Sequence, residues 1–300
     1  MSRHFAGLLL FFLLVATAAE AADWYVDVSA VEGGDGSMES PWRDIHDATR
    51  TAVAGDRIFV APGIYESTRR ITVGSQTRRA LLVLPDGVEV IGEAAATTIL
   101  QAPATDGPLI FGITSSDSGR STLVTGLQVR GACFQGINLR NASVTVRDVE
   151  VRIDLVGTSS TAVDVRDGSD PLFESVTIDG GHSGLFVEFG STGTYRNCTV
   201  TYHPNEGLGI SQANPRFFDC RFEGAGRDLL VLNQGSRPTF SNCSFGSGNR
   251  WLIRVASGYS TGDVIDLGRN RWPTSDVDQL ELWTLDAKDQ GSLGAVVNFL

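Results

Sequence analysis

The feature that most limits how this chain can fold is one short pattern written six times in register. It reads Phe173-Glu-Ser-Val-Thr-Ile178, Tyr195-Arg-Asn-Cys-Thr-Val200, Phe217-Phe-Asp-Cys-Arg-Phe222 and Phe240-Ser-Asn-Cys-Ser-Phe245. The same frame runs backwards through Val146-Arg-Asp-Val-Glu-Val151 and Val124-Thr-Gly-Leu-Gln-Val129. Its fourth position falls at Leu127, Val149, Val176, Cys198, Cys220 and Cys243, giving steps of 22, 27, 22, 22 and 23 residues. Such a repeat makes each unit an element that buries its apolar face only against its neighbours.

The contents of one period decide which repeat it is. About ten residues after each copy stands a second apolar pair: Ile137/Leu139, Val163/Val165, Leu185/Val187, Leu208/Ile210 and Leu229/Val231. These alternate with polar or small residues, the period of a strand with one buried face. The gaps are Gly, Asn, Asp, Ser and Pro, and no amphipathic helix fits among them. Leucine-rich repeats have similar periods but need a strand frame that is absent here. One period therefore holds three short strands and three bends. The expected fold is all-β, a right-handed parallel β-helix: a solenoid of about eight three-strand coils. Stacking at about 4.8 Å lines equal positions into ladders. The polar position before the Val/Cys rung (Asp148, Ser175, Asn197, Asp219, Asn242) suits a bend, where Asn and Asp tolerate left-handed backbone.

Residues Met1–Ala21 have the form of a signal peptide. Arg3 and His4 precede an apolar run from Leu8 to Val15, and Ala19-Glu20-Ala21 offers small residues for cleavage. The run is far short of the roughly 20 apolar residues needed to span a bilayer. A secreted or periplasmic protein without a membrane span is expected. The net charge of −11 argues against nucleic acid and anionic membranes as partners.

After this segment, Trp24-Tyr-Val-Asp27 starts a strand, and Asp44 can cap a short helix over Ile45–Val53. Ala54-Gly-Asp-Arg-Ile-Phe-Val-Ala-Pro-Gly-Ile-Tyr65 then turns directly into strand, and Leu84-Pro-Asp-Gly-Val-Glu-Val-Ile-Gly-Glu93 follows with Thr98-Ile-Leu100. These stretches resemble the capping helix and opening coils of the pectin-lyase-like superfamily of secreted β-helix proteins. Asp266-Leu-Gly-Arg-Asn-Arg-Trp272 and Gly294-Ala-Val-Val-Asn-Phe299 resemble the closing segment of such proteins, with Pro273 standing where a second Gly is usual. The chain divides accordingly into the signal peptide (1–21) and one β-helix domain (22–300). The domain has an N-terminal cap and first coil (22–66), coils (67–265) and a closing segment (266–300).

Four cysteines remain, Cys133, Cys198, Cys220 and Cys243, the last three on one inward ladder. They read either as a disulfide or metal set of an exported protein or as small core fillers. The filler reading is the expectation, because other coils place Val or Leu on the same rung.

In the superfamily that this sequence resembles, ligands lie on the outer face of the long strand. With Leu185 and Val187 inward, the outward residues are Asn138 and Arg140, Asp164 and Arg166, and Phe186 and Glu188. Gly209 and Ser211, then Leu230 and Leu232, continue the face. Arg140, Asp164, Arg166 and Glu188 thus stand side by side, next to lengthened loops at Arg152–Thr161 and Thr114–Ser121. His182 and His203 fall on segments leading into the next strands. The candidate ligand-binding set is Asn138, Arg140, Asp164, Arg166, Glu188, His182 and His203. Three readings stay open. Asp164 and Glu188 could hold calcium beside an arginine base, as the resemblance to pectate lyases implies. The same two carboxylates could act as a hydrolytic acid/base pair. Or the charges simply pair across coils on a solvated face. No lyase or hydrolase motif of the superfamily is complete, so the expected function is binding of polysaccharide or cell-surface glycan, acidic by preference, by a monomer. Polysaccharide lyase is the alternative, with Arg166, Asp164, Glu188 and Arg140 as catalytic candidates, and glycoside hydrolase a more distant one.

Overall fold

In a computed structural model the described residues are 20–73, 75–104, 110–154, 159–260, 263–282, 284–286 and 296–299. The expected signal peptide lies outside them, apart from its last two residues. Three sheets of nine, eight and ten strands run along the molecule, and apart from one edge hairpin their strands pair in parallel with the equivalents one coil away. The chain is a right-handed parallel β-helix. The ten-stranded sheet, called the long sheet below, includes Ile110–Ser116, Gln135–Arg140, Thr161–Arg166, Ser183–Glu188, Leu208–Ser211, Asp228–Asn233 and Trp251–Val255.

Register in such a stack is set by what fills the inside. In the nine-stranded sheet Phe173 pairs with Tyr195, Tyr195 with Phe217 and Phe217 with Phe240. Their rings stack at 5.2, 4.7 and 4.9 Å between centroids. Each such contact adds about 0.5–1.5 kcal/mol beyond the area it buries. A slip by one residue would turn every ring to solvent, so the register is strongly specified. The bend that follows is a second ladder: Asp148, Ser175, Asn197, Asp219 and Asn242 all have φ between 50° and 56°. The left-handed backbone expected for these polar residues is therefore present, and the Val/Cys rung behind it is buried. All four cysteines are buried and free of disulfides. Burial pushes the Cys133 thiol up to about 12.

The ends are closed as a solenoid requires, since an open coil would expose both apolar surface and a strand edge. Asp44 caps helix Ile45–Thr51 by accepting from the His46 N–H at 2.9 Å. The helix stops two residues earlier than the sequence suggests. Ala52 is extended, and the Val53 N–H donates to the Asp56 carboxylate at 3.0 Å instead of continuing the spiral. Asp56 also accepts from the Trp24 indole at 2.9 Å and from Ala22 N–H at 2.8 Å. Burial alone would raise its carboxyl, but these three donors hold it below the usual range. At the other end Trp272 stacks on Phe245 at 4.4 Å, and Phe299 meets Trp272 edge-on. A second short helix, Val277–Leu282, occurs in this closing segment.

Two features of the long sheet differ from expectation. Leu208 pairs with Leu230 and Ile210 with Leu232, so Leu230 and Leu232 point inward while Val231 and Asn233 lie on the outer ladder. The apolar run from Leu229 to Leu232 offers two alternations, and the one the packing selects keeps the 22-residue step from Leu208. Leu229 is buried as well, at the entry to the strand. The second difference is an antiparallel hairpin, Arg69–Val73 with Gln76–Val83, which caps the edge of the long sheet. It is the one antiparallel pair among the described strands.

Candidate functional site

The outer ladder of the long sheet does bring the expected charged residues together. Asn138 pairs with Asp164 and Arg140 with Arg166, while Asp164 pairs with Phe186. Arg166 is clasped by two carboxylates. Its Nε donates to Asp164 Oδ1 at 3.0 Å, and its Nη2 reaches Asp164 Oδ2 and Glu188 Oε2, each at 2.9 Å. Asp164 is only 1% exposed although it points away from the core. Its desolvation is offset by Arg166 and by the side-chain amide of Gln135. Gln135 in turn accepts from Asn138 at 2.8 Å, and Asn138 from Thr114 at 3.4 Å. Asn138 is thereby sealed inside a polar chain running along the sheet and is not a solvated ligand contact. Burial raises the carboxyls of both Asp164 and Glu188, with Arg166 opposing the rise in each.

Arg140 donates from Nη1 to Asp167 at 2.9 Å, leaving its buried Nε without a partner. Arg140 and Arg166 share one cleft of about 310 Å³ with Arg78 of the edge hairpin, and Phe111, Phe134 and Phe186 contribute ring surface. Among the described lining residues three arginines face one carboxylate, Glu188. No carboxylate among the described residues pairs with Arg78. At the rim stands Phe189, 47% exposed, with its ring 5.6 Å from the Arg166 guanidinium. Its φ of 53° puts it in a left-handed ladder with Asp117, Asn141, Asp167, Gln212 and Gln234. An aromatic residue is rarely found in that conformation.

The two histidines do not join this cleft. His203 ends the strand Thr199–His203 and is 1% exposed, its Nδ1 lying 2.6 Å from the Gly180 carbonyl. Burial lowers its pKa to about 4, so it is a neutral core group. His182 is partly buried, and its backbone N–H bonds Ser160. Thr114, Ser115 and Ser116, expected in a loop, belong to the strand Ile110–Ser116. Of the other lengthened loop, residues 155–158 lie outside the described set. The position reserved for calcium, between Asp164 and Glu188, is taken by the Arg166 guanidinium. No group of three or more His, Cys, Asp or Glu that could hold a metal ion occurs among the described residues.

Sequence reasoning missed Arg78, Phe111, Phe134 and Gln135. Arg69-Arg70 and Arg78-Arg79 flank Gly74-Ser75, a hairpin signal that a search for parallel coils passes over. A larger hollow of about 660 Å³ lies at the N-terminal cap, beside Glu32, Arg43, Asp44, Asp47 and Glu66. It is the seam where the cap meets the first coil, and its Asp44 is already engaged by His46 and Ser67.

Among the described residues no helix is long and apolar enough to cross a membrane. No curated protein sequence matches the chain. Among solved structures, a pectate lyase, Pel9A, superposes with a TM-score of 0.58 at 12% identity, covering 84% of this chain and 70% of its own. The A-module of the Azotobacter vinelandii mannuronan C-5 epimerase AlgE4 gives a TM-score of 0.58 at 16% identity, covering 91% and 88%. The model of the right-handed beta helix region matches residues 111–265, more than half of the chain. With the coils and their register in agreement with that match, the chain belongs to the right-handed beta helix family.

Proposed function

We propose that this chain binds an acidic polysaccharide or cell-surface glycan in the arginine cleft of the long sheet, as an exported monomer. The observation that carries this reading is the convergence of Arg78, Arg140 and Arg166 on one cleft walled by Phe111, Phe134 and Phe186. Guanidinium forks match a carboxylate, and flat ring surfaces suit the apolar faces of a sugar ring. The two similar solved structures are named for pectate and for mannuronan. The fold is what they share with this chain, and the choice of an acidic ligand rests on the arginines. Calcium has no part in the proposal, because Arg166 already supplies the positive charge between Asp164 and Glu188.

Calorimetric titration with oligogalacturonate tests it. Arg140→Ala and Arg78→Ala should each weaken binding about tenfold or more, as loss of one charge-assisted contact implies. Arg221→Ala, on the eight-stranded sheet, should not. Equal affinity in all three variants would reduce the cleft to a solvated face.

One observation favours the lyase alternative. Glu188 lines the cleft with its carboxyl raised above the usual range, a group suited to moving a proton. Arg166 is a poor base in this setting, since it is held by two carboxylates. New absorbance from an unsaturated uronate, lost in Glu188→Gln, would establish elimination in place of simple binding.

A further inference from the structure

Beyond the arginine cleft the same face opens into a second, smaller hollow of about 140 Å³. Phe186 and Glu188 line both, so the two adjoin. The floor is Gly209. On the ladder Asn138, Asp164, Phe186, Gly209, Val231, Arg254 it is the one rung without a side chain. A Cβ there would come within 2.6 Å of the Phe186 ring. Glycine at that rung lets the edge of the Phe186 ring lie over it, and the ring forms one wall of the hollow.

Its charge is opposite in balance to that of the cleft. Glu188 and Glu206 line it with a single arginine, Arg254. That arginine is spoken for: its Nη2 donates to Glu206 at 2.8 Å and its Nε to Asp228 at 2.6 Å. Asp228 is fully buried, and its Oδ1 has no partner. Ser211 and Asn233 add a hydroxyl and an amide to the wall. Carboxylates and hydroxyls accept hydrogen bonds from sugar hydroxyls, while a ligand carboxylate placed here would meet two like charges and no free cation.

We propose that this hollow is a second subsite, built for an uncharged sugar ring stacked against Phe186. The face then reads an acidic unit followed by a neutral one, so its ligand is a mixed or partly esterified glycan and not a continuous polyuronate. This rests on the acidic-glycan reading of the arginine cleft and sharpens it.

The probes are oligogalacturonate and a partly methyl-esterified oligogalacturonate of equal length, titrated calorimetrically into the full chain. The wild type should prefer the esterified oligomer by about tenfold, the equivalent of about 1.4 kcal/mol of discrimination. Glu206→Gln should lose most of that preference by binding the fully acidic oligomer better, since an amide can still accept from Arg254 but no longer repels. Ser211→Leu, which fills the hollow from its solvent side, should lower affinity for the esterified oligomer and leave galacturonate itself unaffected. Equal wild-type affinity for both oligomers overturns the second subsite and leaves the arginine cleft standing. If neither oligomer binds, both readings fall together.

Discussion

Down the inside of the long sheet the rungs read Ile113, Ile137, Val163, Leu185, Leu208, Leu230 and Ile253, all buried. One residue later, on the outside, they read Thr114, Asn138, Asp164, Phe186, Gly209, Val231 and Arg254. Both series ride on the same backbone at the same spacing. Inside, each side chain is packed by the rungs above and below, so one size and chemistry suits every coil. Outside, nothing imposes sameness, and the rungs change from amide to acid, ring, glycine and arginine. In a stacked fold, a departure from repetition on the outer ladder is therefore more informative than any residue on the inner one.

The largest effect that could break this contrast lies on the inner ladder. Phe217→Ala should lower stability to urea by about 3–5 kcal/mol, because two stacked neighbours and the Phe222 edge contact lose their partner. A smaller loss would mean that the rungs do not depend on one another.

His203 gives an intermediate effect with a definite sign. Its folded pKa of about 4 lies below the ordinary 6.5. Above pH 6.5 it is neutral in both states and contributes no pH dependence. As pH falls from 6.5 to 4 the unfolded chain takes up a proton that the folded chain refuses, and stability is lost, up to about 3 kcal/mol. His203→Gln should remove that part of the acid sensitivity between pH 7 and 4.5. Identical slopes for variant and wild type would show that the ring is not excluded from water as the structure has it.

The smallest effect is expected on the outer face. Arg140→Ala should change stability by less than about 1 kcal/mol, since its ion pair with Asp167 is partly solvated. A loss as large as that of Phe217→Ala would make the outer ladder structural and sink the contrast.

The inner ladder was legible because it repeats. The stack from Phe173 to Phe240, the Val/Cys rung and the left-handed bend all follow from spacing alone. Arg140, Asp164, Arg166 and Glu188 were also legible as neighbours, once alternation placed them outward. What could not be read was depth: Asn138 and Asp164 point outward and are nonetheless buried, because Gln135 and Arg166 fold over them. Alternation also failed at Leu229–Leu232, where four apolar residues in a row leave the phase undetermined until the neighbouring coil selects it. The edge hairpin escaped for a different reason. It is the place where the chain abandons the repeat, and it carries Arg78 into the cleft.

The uniform coil step makes the outer face a ruler. Arg166 and Arg254 stand four strands apart, each separated from the next by about 4.8 Å. Removing one whole coil, for instance the 22 residues from Asn197 to Phe218, would join equivalent bends and slide every later mark one division toward the first. Duplicating a coil would slide them apart. A lineage built on this fold can thus retune the distance between marks on its outer face by copying a segment of itself, with the interior, apolar at every step, left no worse packed than before.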